Sequence, residues 1–370
     1  MQIAVNAACL RRDMPADTGQ VATEIISALC RQQPEHRFTF YFDGEIPAHL
    51  TFPANVTTVV LPLKGSKRWH RYWWREWQLP RAIKAGGAQW YIGLDGTLPL
   101  RSKIPALILL RDLSFLKDAG LQPAREQDSL KKNITRYLDK ARQIAVLSAT
   151  AKAELLHYAP GAANKVVQLE PAVSSTFRPL EWDDREAAKK AWSGGVEYFL
   201  VTGSIHPRNN LMPVFKAFSA LKKRQRTNLK LVLAGSQTPA GSEIAKALES
   251  YKFRHDVVWK EQLTMDELAA AIGGAYALIY PTRFDGLPLP LYMAQQCKVP
   301  VIAMESLAAR EAGGETVLYT DPASVDDLAD KMSLLYKDEQ LRSRLLAMEP
   351  PVRPGNSWDA AAAALGNALK

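Results

Sequence analysis

The sequence predicts an α/β protein of two domains, each built on a parallel β-sheet. Short apolar segments alternate with apolar-periodic helical segments along the chain, and this alternation is typical of a parallel sheet covered by helices. The chain has 370 residues, 47% of them hydrophobic, so two domains with complete cores are expected. We find no internal repeat and no low-complexity segment.

The cysteine content and the net charge restrict the cellular setting and the partners. Cys9, Cys30 and Cys297 are widely separated and outside any C-x-x-C spacing, which disfavours a disulfide framework or a zinc site and favours a reducing cytoplasm. The chain begins directly with a strand, and no apolar run approaches about 18 residues, so neither export nor membrane spanning is predicted. The net charge of +9 indicates a polyanionic neighbour: a nucleotide diphosphate, an anionic membrane surface or nucleic acid.

The first half of the chain begins with a buried strand, an irregular loop and an apolar-periodic helix. The strand covers residues 2–7, the loop 11–20 and the helix 21–31. Further strands are predicted at 38–42, 89–92, 106–110, 143–146 and 166–169.

The second half repeats the alternation of strands and helices. Its strands are predicted at 197–202, 229–234, 257–260, 277–280 and from Val299 onward. Its helices are predicted at 211–223, up to 297, at 325–335 and from Ser357 to the end. Pro213 falls in the first turn of the helix at 211–223, where its missing N–H has no intrahelical partner.

The segment YPTRFDGLPLPLYMAQQCKVPVI at 280–302 reads as the end of a strand, a loop, a helix and a second strand. A loop at the carboxyl end of a strand is where ligands bind in an open α/β sheet, and the following helix offers unpaired N–H groups to anions. The segment resembles the nucleotide-sugar signature of family 4 glycosyltransferases, P-S-x-x-E-G-F-G-L-P-x-x-E-A-M-A-C-G-x-P-V. The matching residues are Pro281, Gly286, Leu289, Pro290, Ala294, Cys297, Pro300 and Val301.

The resemblance implies a GT-B fold, in which two Rossmann-like, doubly wound parallel-sheet domains face each other across a cleft. The stretch EPAVSSTFRPLEW resembles the linker between these domains. We therefore predict an acceptor-side domain at 1–172 and a nucleotide-sugar domain at 173–355. Residues 356–370 are predicted to form a helix that crosses back to the first domain.

Two residues are candidates for catalysis by this resemblance. The segment RDLSFL at 111–116 stands where the family has H-D-L-S-F-L, so Arg111 replaces a histidine that lies beside the transferred sugar. The neighbouring Asp112 has two interpretations, a cap of the following turn or a ligand contact. Asp285 replaces the first glutamate of the signature and is predicted to accept hydrogen bonds from sugar hydroxyls.

The donor-binding residues are assigned by the same resemblance. Met293 replaces the second glutamate, which in the family accepts hydrogen bonds from the ribose hydroxyls, and a thioether cannot do so. In the loop TGSIHPRNN, Ser204 and Asn209 replace an arginine and a lysine that neutralise the diphosphate. Nearby cations remain at Arg208 and His206. The full set of predicted donor-binding residues is Gly19, Gly203, Ser204, Arg208, Asn209, Gly286, Leu287, Leu289, Met293 and Glu311.

The most unusual composition is the segment KRWHRYWWREWQLPRA at 67–82. On a helix, its tryptophans would stack at i, i+4 and i+8 beside a basic stripe. One interpretation is a surface helix on anionic lipid; the other is core packing with an exposed basic edge, because WREWQLP resembles an ordinary helix of the family. Nucleic acid is not expected as a partner, because no recognition motif accompanies the segment. The residues of the predicted membrane surface are Trp69, Arg71, Trp73, Arg75 and Trp77.

The predicted function is transfer of a sugar from a nucleotide-diphosphate sugar to a glycan or lipid-linked acceptor. By resemblance, the reaction retains the anomeric configuration and needs no metal or other cofactor, and the protein works in the cytoplasm, at the inner face of the membrane. One alternative is a non-catalytic homologue that scaffolds or activates a partner transferase, because the departures fall on chemical positions. Another is a basic surface protein without sugar chemistry.

Overall fold

The structure is a computed structural model that describes residues 1–11, 18–48, 50–65, 67–117, 124–238 and 241–370. Its described residues form two compact units. Unit 1 contains the described residues up to Pro171 together with Ser357–Lys370, and unit 2 contains Ala172–Asn356. The C-terminal helix is thus part of unit 1, where it packs on the first helix of the chain.

Unit 1 is a seven-stranded sheet in the order β3-β2-β1-β4-β5-β6-β7, with parallel pairing between all neighbours. Its strands are β1 Gln2–Asn6, β2 Arg37–Phe42, β3 Val56–Val60, β4 Trp90–Gly93, β5 Ala106–Leu110, β6 Gln143–Val146 and β7 Val166–Gln168. Its helices are α1 Thr18–Gln32, α2 Arg68–Trp73, α3 Leu79–Ala85, α4 Ser114–Lys117, α5 Ala124–Lys140, α6 Ala149–Tyr158 and the C-terminal α15 Asp359–Asn367.

Unit 2 is a six-stranded parallel sheet in the order β10-β9-β8-β11-β12-β13. Its strands are β8 Tyr198–Thr202, β9 Lys230–Ala234, β10 Val257–Lys260, β11 Ala277–Tyr280, β12 Val301–Met304 and β13 Val317–Thr320. Its helices are α7 Trp182–Ser193, α8 Leu211–Gln225, α9 Ser242–Glu249, α10 Met265–Gly273, α11 Leu289–Gln296, α12 Leu307–Gly313, α13 Val325–Lys337 and α14 Glu339–Ala347.

The two parallel sheets confirm the predicted α/β fold class. Central strands such as β5 are buried at every position, because helices cover both faces of a parallel sheet, and such strands are conspicuous in the sequence as unbroken apolar runs. The edge strand β3 was not predicted. Its sequence VTTVV is half-buried or exposed along its whole length, so the sequence carries no apolar run or buried face at that place.

The tryptophan-rich segment is not one regular helix. A π-helical turn, Trp74–Gln78, lies between α2 and α3, and the amide of Leu79 donates to the carbonyl of Trp74. Pro80 explains the wide turn, because it has no N–H for the carbonyl of Glu76 and its ring would collide with that carbonyl in a regular helix. The insertion changes which faces the residues after Trp74 occupy.

The observed burial of this segment differs from the predicted stripes. The core residue is Trp74, whose Nε1 donates to the carbonyl of Leu61. Trp69 and Trp77 are exposed at the surface. Arg75, predicted as part of an exposed basic stripe, is instead largely buried and forms an ion pair with the buried Glu76.

Candidate functional site

The central strands of unit 2 create a crevice at one edge of the sheet. β8 and β11 are neighbours, yet the chain continues from β8 toward one side of the sheet and from β11 toward the other. At such a topological switch point, the loops that leave the two strands separate and form a ligand-binding crevice. These loops are 203–210 and 281–288, and they contain most of the predicted donor residues.

A largely buried ion pair connects the two loops. Nη2 of Arg208 lies 3.3 Å from Oδ1 of Asp285, and its Nε donates to the carbonyl of Phe284 at 3.1 Å. The Asp285 side chain is 6% exposed, and it also accepts from the Tyr280 hydroxyl at 2.6 Å and the Leu287 amide at 3.2 Å. The pair therefore fixes both the Arg208 guanidinium and the shape of the second loop.

An amide side chain makes a second connection between the loops. Asn209 donates through Nδ2 to the carbonyl of Ser204 at 2.7 Å and accepts through Oδ1 from Thr282 at 3.3 Å. Gly203 has a φ of +107°, and a Cβ atom there would lie 2.9 Å from Nδ2 of Asn209. Glycine at this position therefore permits both the backbone turn and the packing of the amide.

The start of α11 differs from the predicted anion site. The amide of Leu289 donates to the carbonyl of Leu287 at 2.9 Å, and that of Leu291 donates to the carbonyl of Pro288 at 3.0 Å. Pro290, between them, has no N–H. The prediction of unpaired N–H groups at this helix is therefore wrong, because local turns and a proline remove the orphan donors.

The remaining donor candidates of unit 2 lie on or beside α11 and α12. Four of them are buried: Gly286, Leu287, Leu289 and Met293. Glu311 is half-buried on α12. Burial raises the pKa of the Tyr292 hydroxyl, and the negative charge of Glu311 raises it further, so this acid lies close to α11.

In unit 1, Arg111 follows β5 and is largely buried. Its Nε lies 3.6 Å from Oδ2 of Asp112. Oδ1 of Asp112 accepts from the amide of Ser114 at 2.9 Å and from its hydroxyl, so Asp112 caps the turn that begins α4. That Arg111 and Asp285 serve one ligand stays a prediction.

Gly19 was predicted to lie in the loop at 11–20, but it lies in a helix, and its role in donor binding stays a prediction. Gly19 is the second residue of α1, and its carbonyl accepts from the Thr23 hydroxyl at 2.8 Å. Helical backbone dihedrals replace the positive φ that a turn glycine would adopt. Most of the predicted loop before it, residues 12–17, lies outside the described residues.

Polar residues that were not predicted lie at both switch points. In unit 1 the switch point lies between β1 and β4. Asp95 is exposed after β4, where it accepts from Nδ2 of Asn6 at 3.2 Å and from the Thr97 hydroxyl at 2.7 Å. In unit 2, Arg283 is exposed in the loop after β11. Both residues directly follow predicted strands, and this position in the sequence could have identified them as candidate ligand-binding residues.

Within the described ranges, no group of three or more His, Cys, Asp or Glu side chains is arranged to hold a metal ion. Likewise, none of the helices within the described ranges has the length and apolar character that crossing a membrane requires.

Comparison with known proteins agrees with the geometry of unit 2. Residues 183–347 match the family model of Glycosyl transferases group 1. O-antigen chain mannosyltransferase B of Escherichia coli is 23% identical over 284 residues, which cover 76% of this chain and 74% of that protein.

Solved structures show the same architecture. Sucrose-phosphate synthase from Thermosynechococcus elongatus has a TM-score of 0.73 at 16% identity, covering 100% of this chain and 98% of that chain. Anabaena HepE, solved in complex with UDP and glucose, has a TM-score of 0.70 at 12% identity, covering 98% and 94%. Residues 183–347 thus resemble the Glycosyl transferases group 1 family, and the chain has the GT-B fold.

Proposed function

We propose that this chain transfers mannose from a nucleotide-diphosphate sugar to a glycan or lipid-linked acceptor in polysaccharide biosynthesis. The observation that carries the proposal is the connection of loops 203–210 and 281–288 at the switch point of unit 2, in the part of the chain that matches the family. The Escherichia coli relative is a mannosyltransferase, which supports mannose as the sugar, and the UDP complex of HepE supports a nucleoside diphosphate as the carrier.

The chemistry explains why the fixed cation matters. In glycosyl transfer, the bond from the anomeric carbon to the diphosphate oxygen breaks, and negative charge grows on the leaving diphosphate. Cations held in place before the reaction stabilise that charge without reorganisation. Arg208 is held by Asp285 and the carbonyl of Phe284. Arg283 is exposed on the loop that contains Asp285. We assign the diphosphate to these two cations.

The other roles follow the family resemblance. We propose that Asp285 accepts hydrogen bonds from sugar hydroxyls while it positions Arg208. Arg111 is proposed as the replacement for the family histidine beside the sugar. The same resemblance supports retention of configuration and a reaction that needs no metal. The three free cysteines are buried, which suits a reducing cytoplasm.

Calorimetric titration of the full chain with GDP, UDP and their mannose and glucose conjugates tests the proposal. We expect one nucleoside diphosphate to bind, its sugar conjugate to be turned over, and Arg283→Ala to weaken binding about tenfold through loss of a charged hydrogen bond. Arg254→Ala is the matched control, because Arg254 is also exposed in unit 2 but lies outside both loops. Absence of binding to every nucleotide would overturn the proposal.

Specific observations favour a second candidate, a non-catalytic homologue that activates a partner transferase. Met293 replaces the family's second glutamate, the first turn of α11 offers few amides, and Arg208 is already neutralised by Asp285. Each of these features weakens the binding of an anionic donor. A folded chain that binds no nucleotide but raises the turnover of a partner mannosyltransferase would establish this candidate.

We also propose that the surface of α2 and the π-helical turn contacts an anionic membrane. Trp69, Tyr72 and Trp77 are 60%, 51% and 36% exposed, and between residues 64 and 84 the only acidic residue is the buried Glu76. Exposed aromatics beside cations are typical of proteins that lie on anionic headgroups. Flotation with phosphatidylglycerol vesicles at low and high salt tests this; we expect association that salt removes.

A further inference from the structure

Asp95 presents a carboxylate to solvent from a buried segment of unit 1. In the fully described stretch 91–99, every residue except Asp95 is buried. Asp95 follows the carboxyl end of β4, which lies beside β1 at the switch point of this sheet. Open α/β sheets bind their ligands at the carboxyl ends of the strands at such a point. The carboxylate is therefore placed where a ligand of unit 1 would bind.

The Asp95 carboxylate is held in one orientation from two sides. Its Oδ2 accepts from Nδ2 of Asn6 at 3.2 Å, and its Oδ1 accepts from the amide of Thr97 at 3.1 Å and from the Thr97 hydroxyl at 2.7 Å. Asn6 is 2% exposed and is fixed in turn, because its Oδ1 accepts from the amide of Ala8 at 3.2 Å. The carboxylate is thus oriented before a ligand binds, which lowers the entropic cost of binding.

The contacts of Asp95 leave capacity for one further hydrogen-bond donor. An ionised carboxylate has about four acceptor positions. Within the described ranges, Asn6 and Thr97 fill three of them, and all three donors are neutral. Asp95 is exposed, so a ligand can approach it from solvent. The ligand that fits is one that donates a hydrogen bond.

We propose that Asp95 accepts a hydrogen bond from a hydroxyl group of the glycan acceptor and so orients the acceptor, an inference that rests on the proposed function. A sugar hydroxyl is a neutral donor, and its hydrogen bond to an ionised carboxylate is about twice as strong as one between neutral groups. A phosphate group would be repelled by the same charge. A metal ion would need several protein ligands, and the described residues contain no group of three or more His, Cys, Asp or Glu side chains that could hold one.

Asp321 of unit 2 provides a matched control. It is also exposed, it directly follows a strand, β13, and its Oδ1 accepts from the amide two residues further on, that of Ala323, at 2.8 Å. The strand β13 is at the edge of its sheet and not at the switch point. An aspartate that only shapes a turn tolerates asparagine, because asparagine keeps the oxygen that accepts from that amide. The two aspartates therefore separate a ligand contact from a turn.

The test is calorimetric titration of the full chain, Asp95→Asn and Asp321→Asn with α-linked mannotriose. We expect Asp95→Asn to weaken mannotriose binding at least about tenfold, which corresponds to about 1.4 kcal/mol, and Asp321→Asn to leave it unchanged. Melting temperatures of the three proteins establish that the variants are folded.

Deoxy analogues of the ligand identify the hydroxyl that Asp95 contacts. Each monodeoxy analogue of the terminal mannose of mannotriose is titrated into the parent and into Asp95→Asn. We expect removal of one hydroxyl to weaken binding to the parent about tenfold and to have no effect on binding to Asp95→Asn, because the contact is already lost there. A turn residue would not give this coupling.

Three outcomes would overturn the inference. The first is a parent chain that does not bind mannotriose, and the second is equal affinity of the parent and Asp95→Asn. The third is a set of analogues that each weaken binding equally in both proteins. Titration of the same samples with GDP and UDP reports on the donor site of unit 2 separately. Intact nucleotide binding with any of these three outcomes would leave the proposed donor site in place.

Discussion

The two units have the same order of central strands, yet their switch points differ in electrostatics. In unit 2, the buried pair of Arg208 and Asp285 connects the two loops. In unit 1, the corresponding position has the exposed carboxylate of Asp95, which is held by neutral donors from Asn6 and Thr97. The same backbone topology thus supports a rigid charged site in one unit and an open polar site in the other, so topology gives the place of a site and side chains give its chemistry.

The largest expected effect is on the free energy of unfolding, and it distinguishes the ion pair of Arg208 and Asp285 from the exposed Asp95. Arg208→Met removes the guanidinium that pairs with a carboxylate only 6% exposed, which should lower the free energy of unfolding by about 3–5 kcal/mol. Asp95→Asn in unit 1 should cost about 1 kcal/mol, because water solvates its carboxylate and only neutral hydrogen bonds change. Urea unfolding of both variants checks the contrast.

A double-mutant cycle sharpens this prediction. Asp285→Leu should lower the free energy of unfolding as much as Arg208→Met. The double variant should lose less than the sum of the two, because both charges of the pair are then removed together. Additive losses would show that the pair is not coupled.

A second prediction concerns the backbone of the unit 2 site. Gly203→Ala adds a methyl group where φ is +107° and where Nδ2 of Asn209 would lie 2.9 Å from it. The variant should therefore destabilise unit 2 by about 1–3 kcal/mol. It should also weaken nucleoside diphosphate binding. Gly195→Ala is the control, because φ there is +90° and no atom lies within 4 Å of the added Cβ. The control should lose stability and keep its affinity. Equal affinities in both variants would contradict a role for the Asn209 connection.

The third prediction returns to unit 1. The Arg111 Nε to Asp112 Oδ2 distance is 3.6 Å, and Ser114 still satisfies Asp112 when the arginine is removed. Arg111→Met should therefore cost about 1 kcal/mol, less than Arg208→Met. If Arg111 lies beside the transferred sugar, turnover should fall far more than stability. An unchanged turnover number would remove it from the site.

The sequence was sufficient for the fold because buried strands leave a clear pattern. β5, β6 and β11 occupy the predicted residues, since strands inside a parallel sheet are apolar at successive positions. The site was harder to predict. The family resemblance assigned Asp285 and Arg208 to the donor site from two separate loops, but residue types alone did not indicate that the two charges pair with each other.

Two further differences have local physical causes. The unpaired amides expected at α11 are absent from its first turn because Pro288 and Pro290 reorganise the hydrogen bonds there. The prediction of a tryptophan stripe is wrong because Pro80, four positions after Glu76, forces a π-helical turn. Helical periodicity assumes 3.6 residues per turn, and it fails where one residue is inserted.

The smallest effect compares a charged helix cap in unit 2 with a neutral one in unit 1. At α10, Thr264 and Glu267 form a capping box, and the hydrogen bond from the Thr264 amide lowers the pKa of Glu267. At α6, the Ser148 hydroxyl accepts from the amide of Ala151. Only the first cap contains a group that titrates in acid.

The sign of the pH dependence follows from the direction of the shift. Because the pKa of Glu267 is lower in the folded chain, its stabilisation is present above the unfolded value of about 4.3 and is lost as pH falls through the folded pKa. Glu267→Gln keeps an acceptor for the capping box but removes the charge, so it should melt below the parent at pH 7 and converge with it in acid. Ser148→Ala should cost about 1 kcal/mol at every pH. Melting temperatures measured from pH 3 to about pH 7 test both variants. A constant difference between the parent and Glu267→Gln at every pH would mean that the carboxylate charge contributes nothing to the cap.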